Sequence, residues 1–265
     1  MLKDITLGQY FPGDTVVHRL DPRTKIVLLI VYIVALFQAV SWWSYALVAF
    51  VTVLAMILGH ITPKNIFKGL KPMLFIIALT ALLNVFYTKG TPVVEGWIIT
   101  WEGIERAVKM MLRITLLIAG TFLLTYTTSP IALTDGLEKL LNPLKKLKVP
   151  VHEMTLMMSM ALRFIPTLIE ETDKIMSAQK ARGADFETGG LIKRAKALLP
   201  VLVPLFVSAF RRADELATAM ECRCYHGGEG RTRMKSLTMG VADWLTLLLW
   251  AALIALVIVL RRRGL

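Results

Sequence analysis

Charged residues and cysteines are both scarce in this sequence. Of its 265 residues, 19% are charged and 55% are hydrophobic, whereas a soluble domain usually carries about 25% charged residues. This balance argues against an ordinary water-soluble enzyme, and a chain so apolar has no long polar tract that would leave it disordered. The two cysteines, Cys222 and Cys224, are separated by one residue, so no disulfide scaffold holds the chain together.

The motifs of nucleotide and metal chemistry are also missing. No G-x-x-x-x-G-K-[ST] loop occurs, which excludes a P-loop cradle for a nucleoside triphosphate, and the Gly-rich residues 227–230 are better interpreted as a flexible turn. Cys222, Cys224 and His226 offer three soft ligands where structural zinc sites usually have four. No histidine is paired with a nucleophile at a catalytic spacing. We therefore expect a non-enzyme without a cofactor or metal.

Long apolar runs dominate what is present. They cover residues 26–40, 45–59, 73–87, 110–128 and 241–260. A perpendicular membrane helix needs about 20 residues, so the first two runs predict short or tilted spans, with Trp42 and Trp43 as an interfacial anchor between them. The sequence predicts an all-α polytopic membrane protein: a bundle of about five transmembrane helices plus long amphipathic cytoplasmic coupling helices.

Basic residues predict the orientation of these spans. Their excess, 31 Lys and Arg against 19 Asp and Glu, suits either nucleic acid or an anionic membrane face, and the hydropathy favours the membrane and excludes nucleic acid. We expect a cytoplasmic loop at 60–72, which is basic, and an external loop at 89–103. Arg113 interrupts the fourth run and would cost about 2.5–3.5 kcal/mol at mid-bilayer. We interpret it as snorkelling to the interface.

The composition divides the chain into three segments. Residues 1–128 form an N-terminal transmembrane region of about four spans, and residues 241–265 a C-terminal transmembrane helix with a basic tail. Between them, residues 129–240 carry 17 basic and 12 acidic residues and are predicted to be mainly cytoplasmic.

Three helices are expected within this middle segment. Leucines at three- and four-residue intervals predict a helix over 133–147. This helix also carries Lys139, Lys145, Lys146 and Lys148, so we expect it to lie at the inner membrane surface. Two long helices follow and end at 182 and 225, each expected to run from the bilayer boundary into the cytosol.

The ends of these two helices repeat each other at an offset of 41 residues. The aligned pairs are Asp173 with Asp214, Ser177 with Thr218, Ala181 with Cys222, Arg182 with Arg223 and Gly183 with Cys224. Each copy places an arginine between small residues. Such a repeat indicates two equivalent pieces that meet two equivalent partners.

An ordinary helix ending is the alternative interpretation of this pattern. A basic residue in the last turn followed by Gly is typical of a helix C-terminus. Because Cys224 stands where the first copy has Gly183, we expect that capping does not explain both copies. Small flanking residues would instead let each arginine press into a groove and bond to carboxylates or carbonyls there.

The same residues resemble a known family. The segments 177–183 (SAQKARG) and 219–225 (AMECRCY), followed by Gly227 and Gly228, resemble the paired Ala-Arg-Gly signatures of the transmembrane T component of energy-coupling factor transporters. Residues 20–25 (LDPRTK) resemble the N-terminal signature of that family. The similarity covers essentially the whole chain, and the second copy departs from it in reading Cys-Arg-Cys.

This resemblance implies a function in transport across the cytoplasmic membrane. The T component holds two ABC-type ATPase subunits and a membrane-embedded S component that captures a vitamin or another micronutrient. Arg182 and Arg223 would be the docking charges, with close approach at Ala181, Gly183, Cys222 and Cys224. Closure of the ATPases on ATP would move the two helices and tilt the S component. The repeat, rather than the family, suggests that Asp173 and Asp214 orient the helices.

Two other functions are weighed against this one. A self-contained permease could use Arg113, Arg163 and Asn84, but the spans lack the carboxylates of coupled transport. A lipid-phosphate enzyme would need clustered acids, and we interpret Glu170-Glu171 and Asp214-Glu215 as solvated helix faces. For the S-component contact we expect the apolar parts of the cytoplasmic helices, together with the Met-rich residues 154–160.

Overall fold

The computed structural model describes residues 10–92, 99–186, 188, 190–228 and 237–262. In this part of the chain the α-helices are α1 (Val16–Arg19), α2 (Pro22–Gln38), α3 (Trp42–Leu58), α4 (Pro63–Leu70), α5 (Leu74–Tyr87), α6 (Trp101–Thr127), α7 (Pro130–Leu141), α8 (Val151–Ala181), α9 (Leu191–Glu221) and α10 (Val241–Arg262). The described residues form no β-strand, only an isolated bridge between Pro92 and Thr100. The predicted all-α class is confirmed.

The described residues fall into two compact units. One contains residues 10–139 and 237–262, and the other contains residues 140–228. Three helical stretches among them are long and apolar enough to cross a membrane, namely Pro63–Tyr87, Trp101–Thr127 and Val241–Arg261. The predicted boundaries 1–128, 129–240 and 241–265 concern which segments lie in the bilayer, and they stay a prediction.

Helices α2 and α3 form the expected pair of short apolar helices. Each has 17 residues and therefore spans about 25 Å, slightly less than the hydrocarbon core of about 30 Å. Ser41 accepts a hydrogen bond from the backbone N–H of Trp43 and so begins α3 directly after the turn. Trp42 and Trp43 lie at this turn with 47% and 68% of their surfaces exposed.

Residues 60–72 are largely helical, so the expectation of a loop is wrong. Helix α4 begins at Pro63, and a 3-10 turn over Lys71–Met73 leads directly into α5. Proline is tolerated in the first turn of a helix because its missing N–H needs no partner there. Both Pro63 and Pro72 occupy such positions.

The leucine-rich helix also ends earlier than its periodicity predicts. Helix α7 ends at Leu141, and Asn142–Leu147 forms a 3-10 helix that closes at Lys148 with a left-handed φ of 61°. Pro143 explains the break, because proline removes one helical hydrogen bond and clashes with the preceding turn. Of the four lysines assigned to this helix, only Lys139 lies on α7.

The core of the unit that contains the apolar helices is centred on Tyr32. Its hydroxyl donates to the Leu116 carbonyl at 2.7 Å and accepts from the Thr52 hydroxyl at 3.1 Å. A Cβ added at Gly120 would lie 2.3 Å from Cε1 of Tyr32. Glycine is therefore required there for the ring to pack against α6. Leu36 and Val257 are fully buried in the same cluster.

Arg113 lies beside the turn between α2 and α3. Its Nη2 donates to the Ala39 carbonyl at 3.1 Å, and its guanidinium lies 5.6 Å from the ring centre of Phe37 and 5.8 Å from that of Tyr45. Hydrogen bonding and cation–π attraction together offset part of the cost of burying this charge.

A buried polar cluster joins the beginning of α2 to the beginning of α10. Asp21 caps α2 by accepting from the Arg23 N–H at 2.9 Å. The Asp243 carboxylate accepts from the Asp21 N–H at 2.9 Å and from the Gly240 N–H at 2.8 Å. Nζ of Lys25, on α2, donates to the Thr127 carbonyl at the end of α6 at 2.8 Å. These bonds fix the ends of three helices to one another.

We predict that Asp243→Ala lowers the thermal stability of the protein. The variant leaves two N–H groups without their acceptor, and a buried unsatisfied donor costs about 1–3 kcal/mol. Unfolding followed in detergent should show a lower midpoint temperature for Asp243→Ala and an unchanged midpoint for Asp14→Ala, since Asp14 is exposed. Equal midpoints for both variants would contradict this role of Asp243.

Candidate functional site

Helices α8 and α9 are equal in length and run antiparallel to each other. Each has 31 residues. Their contacts join positions in opposite order along the two helices: Gln179 to Pro200, Glu171 to Ser208 and Arg212, and Phe164 to Arg212. The two helices therefore pass each other in opposite directions.

The chain after α9 supports the same arrangement. A Cβ added at Gly228 would lie 2.3 Å from Cδ2 of His152, so the segment after α9 packs closely against the first turn of α8. The expectation that both helices run in a common direction from the bilayer is wrong. The polar end of each helix lies instead near the beginning of the other.

The end of α8 is a regular Schellman cap. The N–H of Gly183 donates to the Lys180 carbonyl at 3.0 Å, and the N–H of Ala184 donates to the Gln179 carbonyl at 3.0 Å. Gly183 has a φ of 87°, the left-handed conformation that this cap requires. Arg182 lies at the C-cap, directly before the reversal of the chain.

The end of α9 has the same geometry, although it lacks the glycine. The N–H of Cys224 donates to the Glu221 carbonyl at 2.8 Å, the N–H of Tyr225 donates to the Met220 carbonyl at 3.0 Å, and Cys224 has a φ of 55°. The inference that capping could not explain both copies is therefore wrong. Both copies are Schellman caps, and α9 ends at Glu221, four residues earlier than predicted.

Both arginines and all four flanking residues are exposed. Arg182 lies between Ala181 and Gly183, and Arg223 between the free cysteines Cys222 and Cys224. Neither guanidinium forms an ion pair within the part of the chain that the structure describes. We call residues 181–183 the first tip and residues 222–224 the second tip. Each tip presents one unpaired cation beside small side chains.

The backbone carbonyls of the two aspartates of the repeat accept equivalent hydrogen bonds. The Ser177 hydroxyl donates to the Asp173 carbonyl at 2.7 Å, and the Thr218 hydroxyl donates to the Asp214 carbonyl at 2.9 Å. These bonds use backbone oxygen atoms within each helix. A role of the two aspartate carboxylates in orienting the helices stays a prediction.

The polar contact between the helices includes Glu171, which the sequence interpretation placed on a solvated face. One Glu171 oxygen accepts from the Ser208 hydroxyl, and the other pairs with Nη2 of Arg212 at 3.1 Å. Glu171 is 24% exposed and Arg212 28%, so this acid does not belong to a solvated face. Glu171 and Arg212 lie 41 residues apart, at aligned positions of the repeat, and carry opposite charges. This opposite charge was the feature of the sequence from which their contact could have been predicted.

Two residues of the permease alternative, Asn84 and Arg113, each donate a hydrogen bond to a backbone carbonyl. Nδ2 of Asn84 donates to the Thr80 carbonyl of its own helix, at 2.8 Å, and Arg113 bonds to the backbone at Ala39. Among the described residues, no group of three His, Cys, Asp or Glu side chains could hold a metal ion.

Large apolar side chains remain exposed on both long helices. On α9 they are Ile192, Leu198, Leu199, Leu202, Val203, Phe206, Val207 and Phe210, and on α8 they are Met154, Met157 and Met158. Contiguous apolar surface of this extent is typical of an interface with lipid or with another protein.

Comparison with known proteins identifies similar membrane components of transporters. The family model CbiQ, described as cobalt transport protein, matches residues 13–236. The energy-coupling factor transporter transmembrane protein EcfT of Ruminiclostridium cellulolyticum is 56% identical over 240 residues, which cover 89% of this chain and 90% of the relative. The protein of the same name from Clostridium kluyveri is 53% identical, and the match covers 98% of this chain and 96% of the relative. That from Bacillus subtilis is 48% identical, and the match covers 98% of this chain and 100% of the relative.

We predict opposite effects of two substitutions at the equivalent cap positions. Gly183→Ala introduces a side chain at a left-handed φ and should weaken the end of α8 by about 1 kcal/mol, whereas Cys224→Gly removes such a side chain and should strengthen the end of α9 by about the same amount. Amide hydrogen exchange should become faster at Ala184 in the first variant and slower at Tyr225 in the second.

Cys222→Ala serves as the control, because Cys222 has an ordinary helical φ of −58°. It should leave the exchange rate of Tyr225 nearly unchanged. Faster exchange of Tyr225 in Cys224→Gly would show that the two caps are not equivalent.

Proposed function

This chain belongs to the family of energy-coupling factor transporter transmembrane proteins, and we propose that it transmits the ATP-driven motion of two ATPase subunits to a substrate-binding membrane subunit. The observation that carries the proposal is the pair of matching tips. Each ends a 31-residue helix and exposes an arginine between small residues. Two equivalent ends of this kind suit two equivalent partners.

The antiparallel arrangement supports simultaneous binding of both partners. Arg182 lies 11 residues beyond Glu171, and Arg223 lies 11 residues beyond Arg212. At 1.5 Å per residue, the two tips are separated by roughly 33 Å along the helix axes. Two ATPase subunits can therefore bind one tip each without competing for the same surface.

The chemistry of the tips suits a groove lined by carboxylates or backbone carbonyls. A guanidinium offers five N–H donors in a planar fork, and small neighbouring side chains allow the backbone to approach closely. The caps already satisfy the last carbonyls of each helix. Each arginine is therefore available to a partner rather than needed by its own helix.

The remaining parts of the proposal follow from what this chain lacks and exposes. Its sequence has no P-loop, so ATP hydrolysis is assigned to the partner ATPases. The apolar surface of α8 and α9 is assigned to the substrate-binding subunit, which captures a vitamin or another micronutrient. The tips lie on the cytoplasmic side of the cell membrane, where ATP is available.

We predict that Arg182→Glu and Arg223→Glu each weaken ATPase binding. A reversed charge that faces acidic or carbonyl groups replaces attraction by repulsion, which we expect to reduce affinity at least about tenfold. Co-purification of the ATPases and uptake into proteoliposomes measure the effect, and the double variant should retain neither ATPase. The variants should remain in the membrane fraction, because the tips are exposed.

Lys174→Glu and Arg211→Glu are matched controls for this experiment. Both reverse an exposed positive charge on the same helices at a distance from the tips, and both should bind the ATPases normally. Normal assembly and uptake in the double tip variant would contradict the proposal, as would uptake by the chain alone.

A further inference from the structure

We propose that Glu171 and Arg212 are positioning residues that fix the point at which α8 and α9 cross. With Ser208 and Phe164 they form what we call the crossing clamp. This inference rests on the proposed function, because its consequence is to hold the two tips at equal distances from a common pivot. It adds a role for two residues outside the tips themselves.

The contacts of the clamp are directional and come from both helices. Glu171 uses one oxygen to accept from Ser208 and the other to bind Arg212, whose guanidinium also lies 5.8 Å from the ring centre of Phe164. Ser208 and Arg212 lie about one turn apart on α9, and Phe164 and Glu171 lie about two turns apart on α8. A displacement by one turn, about 5.4 Å, would break all three contacts together.

The two charged residues of the clamp lie at aligned positions of the repeat. Glu171 and Arg212 occupy aligned positions at the offset of 41 that also relates Arg182 to Arg223. In two antiparallel equivalent helices, aligned residues meet each other only near the local two-fold axis. The clamp therefore lies at the centre of the repeat, and the two arms from clamp to tip are equal at 11 residues each.

Opposite charges at this centre favour the crossing. If both copies carried the same charged residue, the local two-fold axis would bring like charges together, and such a juxtaposition is unfavourable. The sequence has Glu170-Glu171 in one copy and Arg211-Arg212 in the other. One residue of each pair joins the clamp, while Glu170 and Arg211 are exposed.

The test uses the complete transporter in proteoliposomes and compares Glu171→Arg with Glu170→Arg. The first variant places two arginines at the pivot. Because the crossing then loses its register, we expect uptake per ATP hydrolysed to fall at least about tenfold while the ATPases stay bound. Glu170→Arg makes the same change of charge at an exposed neighbour and should leave this ratio unchanged.

Exchanging the two charges provides the decisive variant. Glu171→Arg combined with Arg212→Glu restores an ion pair of opposite polarity, and we expect uptake per ATP to return to within about threefold of the original value. Glu171→Gln keeps the size of the side chain and an oxygen that can accept from Ser208, but it removes the charge and replaces the oxygen that binds Arg212 by an NH2 donor. We expect it to lower uptake per ATP about threefold, and it serves as the test if Glu171→Arg fails to assemble.

The outcomes separate this inference from the proposed function. An unchanged uptake-to-ATP ratio in Glu171→Arg, or in Glu171→Gln where the former does not assemble, would overturn the clamp. An assembled double exchange that stays uncoupled would also overturn it. In those cases the tip variants would still lose the ATPases. If the tip variants assemble normally, the proposed function itself fails.

Discussion

The antiparallel crossing of α8 and α9 is the constraint on which the candidate site depends. Parallel helices with matching ends would bring Arg182 and Arg223 side by side, where two cations repel each other and offer a single surface to a partner. Opposite directions place the same two ends far apart and make two separate surfaces. The contacts from Gln179–Pro200 to His152–Gly228 extend this arrangement along most of both helices.

The repeat accounts for the opposite charges in the clamp. Two identical copies that cross antiparallel would meet at their common centre through identical residues, and identical charged residues there would repel. The two aligned residues in this chain, Glu171 and Arg212, differ in charge and form an ion pair instead. The tips are not under this pressure because they never meet, and there both copies keep an arginine. The aligned residues thus differ in charge at the crossing and agree at the tips.

The sequence predicts the helices of this fold better than the contacts between them. Apolar runs and the repeat depend on neighbouring residues, so the two long helices and both tip arginines could be recognised. The direction of α9 against α8, the role of Asp243 in holding Asp21, and the pairing of Glu171 with Arg212 depend on residues far apart in the chain. The left-handed conformation of Cys224 was not predicted from the sequence. Glycine is the residue usually found at this cap position, and here the cap is formed by a cysteine.

The positions of the prolines indicate which part of each helix can transmit a force. Helix kinks occur mostly at proline, where a backbone hydrogen bond is lost. Pro166 lies between Phe164 and Glu171 on α8, and Pro200 and Pro204 precede Ser208 on α9. Between clamp and tip, residues 171–181 and 212–222 contain neither proline nor glycine. Each arm is therefore an uninterrupted helix without the residues at which helices usually bend, as the transmission of motion in the proposed function requires.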